Sequence, residues 1–229
     1  MSASADGSTG PAEALARDLT AIGVAAEPAF VERALAFARL LEKWNAKIRL
    51  VGPSALDVIV REQIVDACGF VHALAALPEA SAWWDVGAGG GLPGILLALR
   101  FPERRVVMVE PIHKKTSFLQ HAAQVLGLAN AIVHTGRVET DGRVVPAIEP
   151  RALRGGVPTA ALSRATLAPE AWLGTARRLV GAGGVVVIAA ADALPAAVTD
   201  DPASSALGTW RWTVPATGAP RILHARRMA

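Results

Sequence analysis

The stretch Trp83 to Gly94 reads WWDVGAGGGLPG, a short apolar run that ends in an acid and is followed by five glycines in eight residues. Glycine alone adopts positive φ without cost and lets another group approach the backbone closely, so this segment is a tight turn or a cradle. Its surroundings decide where the turn lies. Short apolar runs at Ala82 to Val86, Val106 to Glu110, Ala131 to His134, Thr159 to Ser163 and Val185 to Ala189 read as strands. Helical segments fall near Pro93 to Arg100, Lys114 to Leu126 and Pro169 to Val180. That alternation predicts an α/β protein: a mostly parallel sheet with helices on both faces and the glycines at a strand-to-helix turn. Thr209 to Val214 and Arg221 to Arg226 read as two more strands joined by a Pro/Gly turn, so a seven-stranded sheet ends in an antiparallel hairpin.

Ahead of the sheet the pattern is helical. Phe30, Val31, Leu35, Phe37, Leu41 and Trp44 recur at helical spacing, while Glu32, Arg33, Arg39, Glu42 and Lys43 take the other face. Trp44 lies on that apolar stripe and reads as packing between cap and sheet, whereas Asn45 either ends the helix or reaches the cleft. Leu56 to Leu77 reads as one or two further helices closed by Pro78. The organisation expected is a loose tail over 1–12, a helical cap over 13–80 and a ligand-binding domain over 81–229. Thr140 to Pro158 is the one long irregular stretch, and it carries Arg143, Arg151 and Arg154.

Composition excludes several classes. No stretch is long and apolar enough for a membrane span, and Met1 to Ala12 lacks the charged and apolar regions of a signal peptide, so a cytoplasmic protein with no membrane partner is expected. Cys68 is the single cysteine, which rules out an internal disulfide, and the histidines show no zinc-type spacing, so no metal is expected. A net charge of +3 is compatible with a polyanionic partner. A lone domain with a covered sheet needs no second copy, and a monomer is expected.

The glycine turn admits two ligands. Gly89, Gly91 and Gly94 fit the G-x-G-x-x-G of dinucleotide-binding proteins, with Glu110 at the ribose-binding distance. Against a pyrophosphate, Asp85 puts a carboxylate beside the turn and Pro93 removes an amide donor from the helix start. A cationic nucleoside suits the turn better. Asp85 to Gly91 resembles the D-x-G-x-G-x-G motif of class I methyltransferases, which implies S-adenosylmethionine as cofactor, the Rossmann-like class I methyltransferase fold and a role for Glu110 in holding both ribose hydroxyls.

A narrower resemblance covers the chain from about Phe30 onward. DVGAGGGLPGILLAL, VVMVEPIHKKTSFLQHAAQVLGL, GRVE at Gly136 to Glu139, SRA at Ser163 to Ala165 and LLEKWNAKIRLV at Leu40 to Val51 together resemble the RsmG (GidB) family, whose members methylate a guanine N7 of 16S ribosomal RNA. The resemblance implies a cofactor site with Asp85 and Glu110 in which Gly87, Gly89 and Leu92 line the methionine side. Val138 and Glu139 would frame the adenine. Arg164 would close the pocket near the methyl group, and Arg137 would face the RNA or the target base, so these two are the candidate catalytic residues. The implied partner is 16S ribosomal RNA or the small ribosomal subunit. A guanine N7 already offers a lone pair, so no general base is needed; placement and tolerance of the moving positive charge are what the protein must supply. Lys114, Lys115, Arg137, Arg143, Arg151, Arg154 and Arg164 are the candidate phosphate contacts.

Three departures fall on the substrate side. Arg61-Glu62-Gln63 precedes Ile64-Val65-Asp66 where the family usually has Arg-His, losing a histidine and gaining a residue. Ala189-Ala190-Ala191 stands where a Lys-Gly pair is usual, and Arg49-Leu50-Val51 where Asn-Leu-Thr is. A methyltransferase for another RNA or a small molecule, or a non-catalytic cofactor-binding relative, therefore stays as the alternative, with a dehydrogenase behind them.

Overall fold

The computed structural model describes residues 10–77, 82–148, 159–164 and 167–229. Helices α1 (Pro11–Ala21) and α2 (Pro28–Asn45) each open on a proline, which fits the first helical turn because its missing N–H is not needed there. The start of α1 at Pro11 lies inside the segment read as a tail, and residues 1–9 fall outside the described residues. A short α3 (Leu56–Val58) passes into a π-helical turn (Ile59–Ile64) and on into α4 (Val65–Ala75), so the expected helical stretch is one run with a change of winding inside it.

Strands β1 (Ala82–Val86), β2 (Arg105–Glu110) and β3 (Ala131–Thr135) alternate with α5 (Gly94–Arg100) and α6 (His113–Val125). A two-stranded ribbon of β4 (Arg137–Val138) and β5 (Val144–Val145) follows, its second strand inside the region read as irregular. The chain then runs through β6 (Ala160–Leu162), α7 (Pro169–Val180), β7 (Val185–Ala190), α8 (Ala196–Thr199), β8 (Ser204–Val214) and β9 (Ala219–Met228). The seven-stranded sheet has the order β3-β2-β1-β6-β7-β9-β8, parallel except for β9, which is antiparallel to both its neighbours. The predicted class and the terminal hairpin are therefore observed. β8 starts at Ser204, five residues earlier than its apolar pattern indicates, because the additional pairs with β9 alternate little in polarity.

Strand order reverses at β1, whose neighbours are β2 on one side and β6 on the other. In an open parallel sheet the crevice at such a reversal, beyond the carboxyl ends of the strands, is where ligands bind. Successive side chains of β1 point to opposite faces. Trp83 enters one apolar cluster with the buried stripe of α2 (Phe30, Val31, Leu35, Phe37, Leu41), and Trp84 enters a second with Trp172 of α7. The helical cap and one face of the sheet thus share a single core. Among the described residues no helix is long and apolar enough to cross a membrane.

Candidate active site

The backbone after β1 turns back on β2: the N–H groups of Gly87 and Ala88 donate to the Val109 carbonyl at 2.8 and 3.1 Å. Gly89, at φ +55°, donates its N–H to Glu110 Oε2 at 2.9 Å, while Glu110 Oε1 accepts the N–H of Ile112 at 3.0 Å. One buried carboxylate therefore sets the distance between the glycine loop and the turn after β2. A side chain at Gly89 would meet only the Gly87 carbonyl, at 3.8 Å, and so project into open space. Two other glycines are bare for a different reason. A Cβ at Gly90 would press on the Leu50 carbonyl at 3.2 Å, and one at Gly94 would strike Asp85 Oδ2 and Met108 Cγ at 2.7 Å. The loop is thin there because the cap and β2 pack on it, not because a ligand does.

Asp85, expected at the strand tip beside the ligand, lies beneath the loop. It is fully buried, its Oδ2 accepts the Gly94 N–H at 2.9 Å at the start of α5, and its Oδ1 has no partner among the described residues. Burial pushes its pKa up to about 7, with the Glu110 charge adding to the rise and the Gly94 N–H and Arg164 opposing it. Asp85 thus acts on the loop from below rather than on the cleft surface.

A cleft of about 240 Å³ opens over the loop, lined by Gly87, Gly89 and Leu92 together with Leu50, Gln63 and Arg164. Asn45 brings Leu50 there. Its Oδ1 accepts the N–H groups of Leu50 and Val51 at 2.7 and 3.1 Å, and its Nδ2 donates to the Pro53 carbonyl at 2.7 Å, so the residue ends α2 and shapes the loop after it. On the opposite wall Ser163 donates to the Val86 carbonyl at 2.8 Å, fixing the point where the chain leaves β6. Next in sequence, Arg164 donates through Nη2 to Asp66 Oδ2 at 2.7 Å and Gln63 Oε1 at 3.1 Å. Asp66 also accepts from Arg221 Nε at 2.9 Å. Gln63 sits in the π-helical turn, and a π turn, with one more residue per hydrogen-bonded ring than an α turn, absorbs the extra residue read from the sequence.

The remaining candidates lie elsewhere. Arg137 is exposed, pairs with Glu139 and borders a separate cavity of about 300 Å³ with Pro111, His113 and Pro146. Arg137 and Arg164 are therefore not brought into one cavity, because the β4–β5 ribbon carries the first away from β6. Val138 turns inward onto the apolar cluster under α7. Trp44 packs against Phe118 and His121 at 5.6 and 5.4 Å between ring centres, the packing role rather than an open stacking face. Lys114 is exposed and Lys115 half-buried in the first turn of α6, and Arg143 is occupied by Asp141. Arg151, Arg154 and Ala165 fall outside the described residues.

Three residues were not singled out from the sequence. Asp66 and Arg221 meet across 155 positions, which no local pattern reveals. Ile112 is 49 % exposed directly beyond Glu110. An apolar residue left in the open two places after a strand-ending acid was the available signal for it.

The strand order, the glycine turn and the acid at the end of β2 define the class: this is the fold of the class I S-adenosylmethionine-dependent methyltransferases. Among solved structures it is similar to the O-methyltransferase TomG from Streptomyces achromogenes in complex with SAM, with a TM-score of 0.54 and 19% identity over 86% of this chain and 90% of that one. It is also similar to cofactor-bound Rv0187 from MTB, with a TM-score of 0.55 and 21% identity over 96% and 98%. Within that class the chain belongs to the family described as GidB, rRNA small subunit methyltransferase G, which matches residues 31–189. Curated relatives named Ribosomal RNA small subunit methyltransferase G include one from Burkholderia pseudomallei, 40% identical over 135 residues, 58% of this chain and 58% of the relative. Another, from Ralstonia nicotianae, is 40% identical over 124 residues, 52% and 56% of the two chains. The matched part is thus under two thirds of the length of these relatives.

Proposed function

We propose that this protein is an S-adenosylmethionine-dependent methyltransferase that methylates a guanine N7 of 16S ribosomal RNA in the cytoplasm, acting as a monomer on the RNA or the small ribosomal subunit. The observation that carries the cofactor is the Glu110 carboxylate. Both its oxygens are held by backbone N–H groups, one of them that of Gly89 in the cleft lining, and a carboxylate offers about four acceptor positions, so two remain for a pair of ribose hydroxyls. The cleft suits such a group: Gly89 is bare, Leu92 lines it, and Arg164 is the one cation among its described lining residues, while Ile112 stands exposed two residues beyond Glu110 for a base to rest on. Val138 at the end of β4 and Glu139 next to it remain the adenine side of this reading, Val138 through its backbone.

S-adenosylmethionine, when bound, supplies a methyl carbon made electrophilic by the sulfonium. The chain's own residues position and exclude. Leu50 and Leu92 keep water from the reacting centre, and Arg164, held by Asp66 and Gln63, orients the incoming base from the wall of the same cleft. Arg137, on the exposed ribbon, with Lys114 and Lys115 at the start of α6, meets phosphates of the RNA around the mouth. The N7 edge lies in the deep major groove of paired RNA, so the target base is presented unpaired or turned out.

The test is methyl transfer from labelled S-adenosylmethionine to small subunits, and to their extracted RNA, from cells lacking the modification. One N7-methylguanine mapped by mass spectrometry is expected. Cofactor binding without transfer to any ribosomal RNA would move the target to another RNA or a small molecule, the reading that Gln63 and the three alanines at 189–191 favour.

A further inference from the structure

A third cavity, of about 350 Å³, shares Arg164 with the glycine-loop cleft. We propose that this cavity seats the purine that receives the methyl group, and that Arg221 is its base-contacting residue; the assignment rests on the function proposed above. Position argues for it first. Arg164 follows β6, Ala189 to Ala191 end β7, and Arg221 begins the antiparallel β9, so the cavity lies along the ligand edge of the sheet. Its size is within the range of small-molecule sites, roughly 300–1,000 Å³.

Chemistry argues second. The floor is apolar: Phe70 and Trp212 meet edge-on at 6.5 Å between ring centres, beside the small Ala190. Gly69 makes the floor possible, since a Cβ there would sit 2.2 Å from the Trp212 indole. Asp66, Gly69 and Phe70 fall at i, i+3 and i+4 of α4, one face of one helix. The rim is cationic. Asp66, almost fully buried, receives Arg164 on one oxygen and Arg221 on the other, so two guanidinium groups are locked in place around a single negative charge. Arg221 spends Nε on Asp66 and one Nη1 hydrogen on the Pro220 carbonyl, and a guanidinium carries five N–H donors, so further donors are left for an acceptor in the cavity that it lines. Arginine to the O6/N7 edge is the commonest specific contact to guanine. With N7 reserved as the reacting atom, the contact falls on O6. Adenine carries an amino donor at that position and would set donor against donor. The alanines at 189–191 leave the space open, and Arg221 of β9 brings a cation to it.

Two variants and a binding measurement test this. Arg221→Ala should lower kcat/KM for RNA on the order of 10- to 100-fold while leaving S-adenosylhomocysteine affinity within about twofold. Ala190→Phe fills the cavity without touching an ion pair and should give a comparable loss with an unchanged melting temperature. In equilibrium dialysis, wild-type protein saturated with S-adenosylhomocysteine should bind guanosine monophosphate in preference to adenosine monophosphate, and Ala190→Phe should abolish that preference. Transfer by both variants within twofold of wild type, or guanosine monophosphate binding that Ala190→Phe does not change, overturns the seat. Wild-type protein that methylates no ribosomal RNA, yet loses guanosine monophosphate on Ala190→Phe, overturns the ribosomal target and leaves the purine seat standing.

Discussion

The glycine-loop wall and the arginine wall face the same cleft and are built in opposite ways. On the first, acids hold backbone over short reaches of chain: Asp85 holds Gly94, nine residues on, and Glu110 holds Gly89, twenty-one residues back. On the second, side chains hold side chains over 98 positions between Asp66 and Arg164 and 155 between Asp66 and Arg221. The shape of the first wall is therefore set by backbone contacts within a short stretch of chain. A wall of long-range ion pairs draws its donors from separate strands, Arg164 after β6 and Arg221 at the start of β9.

The sharpest way to break the comparison is Gly89→Asp. The new carboxylate would project into the cleft beside Glu110 from a backbone at φ +55°, and S-adenosylhomocysteine binding should fall at least a hundredfold by calorimetry with the fold intact. A variant that still binds would mean that the loop is not the cofactor floor. On the other wall, Arg164→Ala should reduce methyl transfer by about a hundredfold, yet cost only about 1.5–3 kcal/mol in denaturant unfolding, because Arg221 remains on Asp66. Unfolding at room temperature would show that the wall is less tolerant than stated.

Asp85 separates the walls by pH. Its pKa is raised from 3.8 to about 7 in the folded protein, so the native state holds an extra proton between those values. The stability it contributes is complete below about pH 4 and lost as pH rises through about 7. Urea midpoints should decline across that window and flatten above it, and Asp85→Asn should remove the decline while its side-chain oxygen keeps the Gly94 N–H. A decline of equal size in Asp85→Asn would assign it elsewhere. The smallest effect belongs to the rim. Lys114→Ala should weaken RNA binding a few-fold and reduce the slope of log affinity against log salt by about one, equally for any RNA sequence.

The same division explains what could be read from the sequence. The strand runs, the α2 stripe and the glycine turn follow from periodicity and from glycine's special backbone, all local properties, and they placed the sheet, its hairpin and the loop within a few residues. Asp85 was read as facing the ligand because a strand-ending acid beside glycines has no other visible purpose; the Gly94 N–H that takes it is visible only in three dimensions. Arg137 and Arg164 both follow strands on the ligand side, and only the ribbon paired through Val138 and Val144 shows that they part. The residue gained before Ile64 was legible as a change of spacing, whereas its solution as a π turn that presents Gln63 to Arg164 depends on how the helix is wound. Arg221 gave no signal at all, since an arginine in a half-buried strand is ordinary until its partner is known.

The cap is seated on the glycine loop through Leu41 and Leu50 at Gly90, and its stripe belongs to the same core as Trp83. A lid must be able to leave its seat, and each large apolar side chain exposed in doing so costs roughly 1.5–3 kcal/mol. With Phe37 and Leu41 fully buried, this cap is a foundation and not a door. The cap therefore offers a ligand a preformed seat. On the function proposed above, the bending, unpairing and turning out of a base are work left to the nucleic acid.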